Sequence, residues 1–178
     1  MSIREKELLE KVEEWQNKAR CETDPFNKYI SMFIAYNIFY NLYAKRKNPD
    51  ADFTRGDRTR ATATINLIEA DQLYCLIKSD LKEYLLIIPV FREEYWLTRN
   101  PPTKVPISKT LKESFYAKDT KKTIDMLIKW LYKVRCNLVH GEKSYRDEQQ
   151  RKLLEMSSNL LDSILTHLVR RYKEIYCS

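Results

Sequence analysis

The sequence predicts an all-α protein, a helical bundle with several long antiparallel helices that form a single domain over residues 1–178. Only two glycines occur among its 178 residues, and β-hairpins of the Asn-Gly or Asp-Gly type are absent. Apolar residues instead recur at the spacing of one helix face in almost every part of the chain. They make up 43% of the residues and charged residues 32%, a balance typical of a globular protein rather than a disordered one.

Seven helices are predicted, each from a run of apolar residues at helical spacing. Their approximate bounds are residues 3–18, 25–45, 59–77, 81–88, 109–116, 119–141 and 145–172. The first carries one apolar stripe, Leu8, Val12 and Trp15, among glutamates and lysines. The second begins at Thr23-Asp24-Pro25, because a capping side chain there precedes a proline suited to the first turn.

The second helix is apolar nearly all round, which is typical of a central, buried helix. Asn37 and Tyr40 within it therefore need hydrogen-bond partners if they are buried. A polar loop over residues 46–58 is predicted to follow, and its neighbourhood is basic. The cations of this region are either solvated or in contact with a polyanion, and Arg55 and Arg58 are the candidates for such contacts.

Turn signals divide the rest of the chain. Ser79-Asp80 is predicted to restart a helix that ends near Pro89. Three prolines between residues 98 and 106 exclude a regular helix there, so this stretch is a lid or a connector. Asp119 or Thr120 begins the next helix, and Gly141 is well placed to end it.

Composition excludes several classes of function. Two glycines cannot supply a phosphate-binding glycine loop, a dinucleotide fingerprint or a nucleophile elbow. Four scattered cysteines and two histidines predict no metal site, and no cofactor is expected. The net charge of +7 favours acidic partners, with nucleic acid first. No apolar run of about 18 residues and no signal-peptide core occur, so we expect a cytoplasmic protein without a membrane span.

The strongest candidate site lies in residues 134–141, Val-Arg-Cys-Asn-Leu-Val-His-Gly. Cleaving RNA without a metal requires a base, an acid and positive charge on the phosphorane. The imidazole of His140 titrates near neutral pH, and Arg135 offers a bidentate grip on phosphate oxygens. Asn137 can orient the imidazole or bind phosphate. We therefore predict that these three residues are catalytic and that Lys143, Arg146 and Arg151, which follow closely, contact RNA.

The spacing of the site leaves its geometry open. On a regular helix Arg135 and His140 lie about 140° apart, so they do not share a face. Either the helix opens before Gly141, or two chains meet across a two-fold axis and share the site. Structural readings also exist, in which Arg135 forms a salt bridge, His140 caps the helix end and Asn137 is an exposed amide. The second histidine, His167, fits a flank or interface residue better than a catalyst.

The arrangement resembles the HEPN domains (higher eukaryotes and prokaryotes nucleotide-binding), which are small α-helical bundles and include many metal-independent endoribonucleases. Their hallmark is an arginine, four to six residues and a histidine near the end of a core helix, read here as Arg135-x4-His140. Members often carry a polar residue directly after the arginine; here that residue is Cys136, and the amide comes one place later. Residues 132–141 and the aromatic segment 33–40 look like one branch of the family, and the resemblance covers about residues 26–172.

The resemblance implies a homodimer with both motif copies facing one cleft, in a toxin or host-defence system with an antitoxin or nucleotidyltransferase as a possible partner. It also implies products with a 2′,3′-cyclic phosphate and a 5′-hydroxyl. In some members the nucleotidyltransferase modifies a tyrosine two residues after the histidine, whereas this chain has Glu142 there and its nearest tyrosine is Tyr145. Two alternatives stay open: a non-catalytic HEPN module that binds RNA, nucleotide or a protein partner, and a structural helical adaptor.

Overall fold

A computed structural model describes residues 2–49, 56–88, 106–139 and 147–177. Every regular element in these ranges is helical, which confirms the all-α prediction. The α-helices are α1 (Ile3–Cys21), α2 (Pro25–Lys47), α3 (Asp57–Ala63), α4 (Ala70–Ile87), α5 (Ile107–Tyr116), α6 (Thr120–Val139) and α7 (Glu148–Tyr176), and a 3-10 turn (Thr64–Leu67) follows α3. Within these ranges, no helix has the length and apolar character needed to cross a membrane.

Side-chain caps fix the starts of the long helices. The Ser2 hydroxyl accepts a hydrogen bond from the Glu5 amide, and the Glu5 carboxylate accepts one from the Ser2 amide, which completes a capping box on α1. Asp24 accepts hydrogen bonds from two amides in the first turn of α2, and Pro25 occupies the first position, as predicted. Asp119 caps α6 in the same way, and Asp147 caps α7.

The prediction of one helix over residues 59–77 and another beginning after Ser79-Asp80 is wrong. The chain breaks earlier, at the 3-10 turn and the extended Ile68, and α4 continues through Ser79 and Asp80 to Ile87. Both polar side chains are exposed. Because Ile77 and Leu81 keep the buried stripe in phase on either side of them, a turn signal on the solvent face does not interrupt the helix.

Three other predicted bounds also change. The loop over residues 46–58 is too long, because α2 extends to Lys47 and α3 begins at Asp57. Gly56 precedes α3 with a left-handed φ of 80°, a conformation that glycine adopts without strain. The final helix reaches Tyr176 rather than Tyr172. The predicted start at Tyr145, the stop at Gly141 and the proline-rich stretch up to residue 105 lie outside the described residues.

Helix α2 is the centre of the bundle. Helix α1 runs antiparallel to it, since Glu5 near the start of α1 pairs with Arg46 near the end of α2 at 3.3 Å. The Tyr29 hydroxyl donates to the Leu131 carbonyl oxygen at 2.6 Å and thereby joins α2 to α6. The aromatic side chains of α2 are almost wholly inaccessible, which confirms the prediction of a central, buried helix; they include Tyr29, Phe33, Tyr36, Phe39, Tyr40 and Tyr43.

Helix α7 packs against α4 on another side of the core. The Tyr84 hydroxyl bonds to the Ser157 hydroxyl at 2.6 Å and accepts from the Trp130 indole N–H at 2.9 Å, which ties α4, α6 and α7 together. His167 of α7 is buried, and its Nε2 accepts from the Glu69 amide at 3.3 Å just before α4 begins. The second histidine therefore has a structural contact with Glu69, the residue that precedes α4.

Protonation of His167 should destabilise the fold. Burial lowers the pKa of this imidazole below its ordinary 6.5, and Arg170 lowers it further, whereas Glu69 opposes the shift. The unfolded chain therefore binds more protons than the folded chain between the folded pKa and about 6.5, so stability falls as pH falls through that window. Protonated Nε2 also cannot accept from the Glu69 amide.

Urea unfolding measured from about pH 7 down to about pH 5 checks this expectation. In His167→Gln the loss of stability over that range should be smaller than in the wild type, since the glutamine keeps an acceptor and does not titrate. An identical pH dependence in both proteins would contradict the assignment.

Candidate functional site

The C-terminal half of α6 carries the described part of the predicted motif. Its apolar face, with Leu127, Leu131 and Val134, is buried against the core, so the position of each following residue is fixed. The helix is described as far as Val139, which is exposed and directly precedes His140 in the sequence. His140 itself, Gly141 and the predicted RNA contacts Lys143 and Arg146 lie outside the described residues.

Arg135 lies half-buried on α6, with its guanidinium carbon 5.7 Å from the centre of the Phe33 ring. This distance is within the range of a cation–π contact, which holds the guanidinium against a ring of α2. Within the described ranges Arg135 pairs with no carboxylate, so the salt-bridge reading finds no support there. A partly desolvated cation that pairs with no described carboxylate is suited to binding an external anion.

Asn137 lies on the buried side of α6, one turn after Val134, and only 8% of it is exposed. The reading of Asn137 as an exposed amide is therefore wrong. Its side chain makes no hydrogen bond to any residue that the structure describes. The amide thus has donors and an acceptor that no described residue uses.

A polar cluster that motif analysis did not predict lies beside Arg135. We call it the Asp57 cluster; it comprises Tyr40, Asp57, Arg60 and Tyr132. The Asp57 carboxylate accepts from the Tyr40 hydroxyl at 2.6 Å, from the Tyr132 hydroxyl at 2.9 Å and from the Arg60 guanidinium at 3.3 Å. The Tyr132 ring packs edge-on against Phe33, the ring that also contacts Arg135.

The hydroxyls of the Asp57 cluster are donors at neutral pH. Burial, and next the hydrogen bond to Asp57, raise the pKa of Tyr132 to about 12. The same two causes raise the pKa of Tyr40 far above its ordinary value. The positive charge of Arg135 opposes both shifts, which shows that it lies within electrostatic reach of both rings. Neither tyrosine is therefore a general base, and their role here is to hold Asp57.

Two amides on α2 extend the cluster. Asn37 donates to the Tyr40 hydroxyl, and Asn41 donates to the Asn37 side-chain oxygen at 2.9 Å. Tyr40 is buried and satisfied, and half-buried Asn37 is bonded too, as the sequence required. The signal for this cluster was present in the sequence, because three polar residues stand at i, i+3 and i+4 in an otherwise apolar helix.

The other predicted RNA contacts are dispersed. Arg58 is exposed on α3, next to the Asp57 cluster in sequence. Arg151 lies in the first turn of α7 and pairs with Asp24 at 3.2 Å, with about a third of its side chain exposed (35%). Arg55 lies outside the described residues. The described ranges therefore place Arg135 and Asn137 on one stretch of helix and do not gather the predicted cations around them.

No grouping of histidine, cysteine and carboxylate side chains in the described ranges could hold a metal ion. The chain matches no protein-family model, no curated protein and no solved structure.

Proposed function

We propose that this protein is a metal-independent endoribonuclease of the HEPN type, acting in a toxin or host-defence system. One observation carries the proposal: Arg135 of the Arg135-x4-His140 motif is half-buried and pairs with no described carboxylate, and His140 follows it by five residues in the sequence. The buried amide of Asn137, also without a described partner, supports it. A guanidinium stabilises the negative charge of a phosphorane, and an amide can orient an imidazole.

The chemistry follows from the residue types. The His140 imidazole removes the proton from the ribose 2′-hydroxyl, and the 2′-oxygen attacks the adjacent phosphorus. Arg135 binds the phosphoryl oxygens, on which negative charge increases in the phosphorane. The bond to the 5′-oxygen then breaks, and an imidazolium supplies the proton to that oxygen. The products are a 2′,3′-cyclic phosphate and a 5′-hydroxyl.

Cleavage should survive excess EDTA, because the proposed residues need no metal. The measurement is electrophoresis of labelled RNA incubated with the purified protein, with and without chelator. Complete loss of cleavage in EDTA, restored by magnesium or manganese, would overturn the mechanism. RNA that is bound without being cleaved under either condition would favour the alternative of a non-catalytic HEPN module.

We further propose a homodimer with both motif copies at one cleft, because one chain offers a single Arg135 and a single His140. If the site draws residues from both chains, mixing inactive Arg135→Ala and His140→Ala chains should restore part of the activity. Light scattering should give about twice the chain mass of 21.4 kDa. A monomer that cleaves RNA at the full rate would show that one chain suffices.

A further inference from the structure

A groove of about 660 Å³ lies between the first turns of α1, the second half of α2 and Arg60 of α3. Neither Arg135 nor Asn137 lines it. Its volume lies in the range of sites that bind small ligands or parts of larger ones. The groove is therefore a concave surface separate from Arg135 and Asn137.

The charge of the groove is positive. Its described lining holds four cationic side chains, Arg4, Lys45, Arg46 and Arg60, and one acidic side chain, Glu5, which leaves an excess of three positive charges. Arg4 and Lys45 are exposed and pair with no carboxylate in the described ranges. Two cations that line one groove and pair with no described carboxylate favour an anionic ligand.

Glu5 offsets only one of the four positive charges, and the excess of three already includes it. Glu5 is already occupied, since it accepts from the Ser2 amide at 2.7 Å, from the Tyr172 hydroxyl at 3.1 Å and from Arg46 at 3.3 Å. The hydrogen bond from the Ser2 backbone is the main cause that lowers the pKa of Glu5, so it stays ionised at neutral pH within these bonds. Arg4 and Lys45 consequently remain available to a ligand.

The floor of the groove is not purely ionic. Leu8, Ile38 and Leu42 give it apolar surface, and two amides lie beside them. Asn41 donates one N–H to Asn37 and accepts from Arg60 at 2.7 Å, so it keeps a second N–H and a second lone pair. An amide that presents a donor and an acceptor side by side matches the edge of a nucleobase, and an apolar surface matches its face.

The groove is joined to the proposed catalytic helix. Arg60 lines the groove and binds Asp57, and Asp57 binds Tyr132, which lies one turn before Arg135 on α6. Phe33, which contacts Arg135, and Lys45, which lines the groove, lie 12 residues apart on α2 (33 to 45), or about 18 Å along the helix. An RNA strand with its cleaved phosphate at Arg135 therefore reaches the groove a few nucleotides away, across the Asp57 cluster.

We propose that the groove binds a nucleotide unit of single-stranded RNA a few positions from the cleaved phosphodiester, with phosphates at Arg4 and Lys45 and the base on the floor. The substrate class rests on the proposed function. The proposed function assigns no role to the residues that line the groove, and none of them was predicted from the motif.

Fluorescence anisotropy with a short, labelled 2′-O-methyl oligoribonucleotide tests the groove, because this RNA lacks the attacking hydroxyl and is bound without cleavage. We expect Arg4→Gln/Lys45→Gln to raise Kd about 10-fold or more and to lower the slope of log Kd against log salt by about 0.7 for each phosphate that the protein no longer neutralises. The matched control is Lys6→Gln/Lys82→Gln, which removes the same charge from two exposed lysines outside the groove.

Equal effects of the two double substitutions would overturn the proposal. Binding of inorganic tripolyphosphate as tight as that of the oligonucleotide would overturn the part that concerns the base. These results can be told apart from failure of the proposed function. If RNA binds in the groove and the wild type does not cleave it, the ribonuclease proposal is contradicted and the groove proposal stands. Cleavage by a wild type whose groove variants bind RNA normally contradicts only the groove.

Discussion

Replacing Arg135 by alanine should lower kcat for RNA cleavage about 10²- to 10³-fold, the usual effect of removing one donor to a developing oxyanion. The folded protein should lose about 1 kcal/mol or less, because the side chain is half-buried and its main contact is the cation–π contact with Phe33. Arg135→Lys keeps the charge and loses the bidentate grip, so its kcat should fall between those of the wild type and the alanine variant. Single-turnover cleavage of a labelled RNA and urea unfolding measure the two quantities.

A second cation on α6 provides the matched control. Lys133 is also half-buried, and its ammonium lies 6.0 Å from the centre of the Trp130 ring, so Lys133→Ala removes a comparable charge and contact two residues away. Its kcat should stay close to that of the wild type. His140→Ala should abolish cleavage and keep the fold. Full activity in Arg135→Ala or His140→Ala would contradict the assignment of the motif.

Local signals in the sequence were sufficient for the parts of the fold that depend on neighbouring residues. Asp24 and Pro25 determine the start of α2 through bonds within the first turn, so the sequence alone locates it. The break before α4 depends on a distant residue. The Tyr36 hydroxyl of α2 donates to the Ala61 carbonyl oxygen at 2.6 Å and bonds to Thr64 at 2.8 Å, which holds the 3-10 turn in place. No local pattern contains that information.

The candidate site also has one part that local sequence identifies and one that depends on distant residues. Arg135 and Asn137 stand in a short motif, so residue chemistry and spacing were enough to select them as candidates. The Asp57 cluster joins three helices, because Asp57 meets Tyr40 at a sequence separation of 17 residues and Tyr132 at a separation of 75. The polar positions in α2 indicated that partners were needed, and only the packing of α3 and α6 against α2 identified which partners.

Removal of the central carboxylate should be the most destabilising change near the site. In Asp57→Ala the hydroxyls of Tyr40 and Tyr132 and the guanidinium of Arg60 lose their shared acceptor. Hydrogen bonds to a charged group contribute about 1.5–3 kcal/mol each, and a buried donor without a partner adds its desolvation cost. Because the Asp57 side chain is about a third exposed (35%) and Tyr40 keeps its bond from Asn37, we expect a total loss of about 2–4 kcal/mol in the free energy of unfolding.

Asp125→Ala is the control for this loss, since Asp125 has a similar exposure (27%) and pairs with Lys129 on the same helix. Such a pair contributes about 0.3–0.5 kcal/mol. A double-mutant cycle between Asp57→Ala and Tyr40→Phe should give a coupling free energy of about 1 kcal/mol or more, because the two residues share one bond between different helices. If Asp57→Ala is no more destabilising than Asp125→Ala, the cluster does not hold α3 against α2 and α6. The link from the groove through Arg60 and Tyr132 toward Arg135 then fails with it.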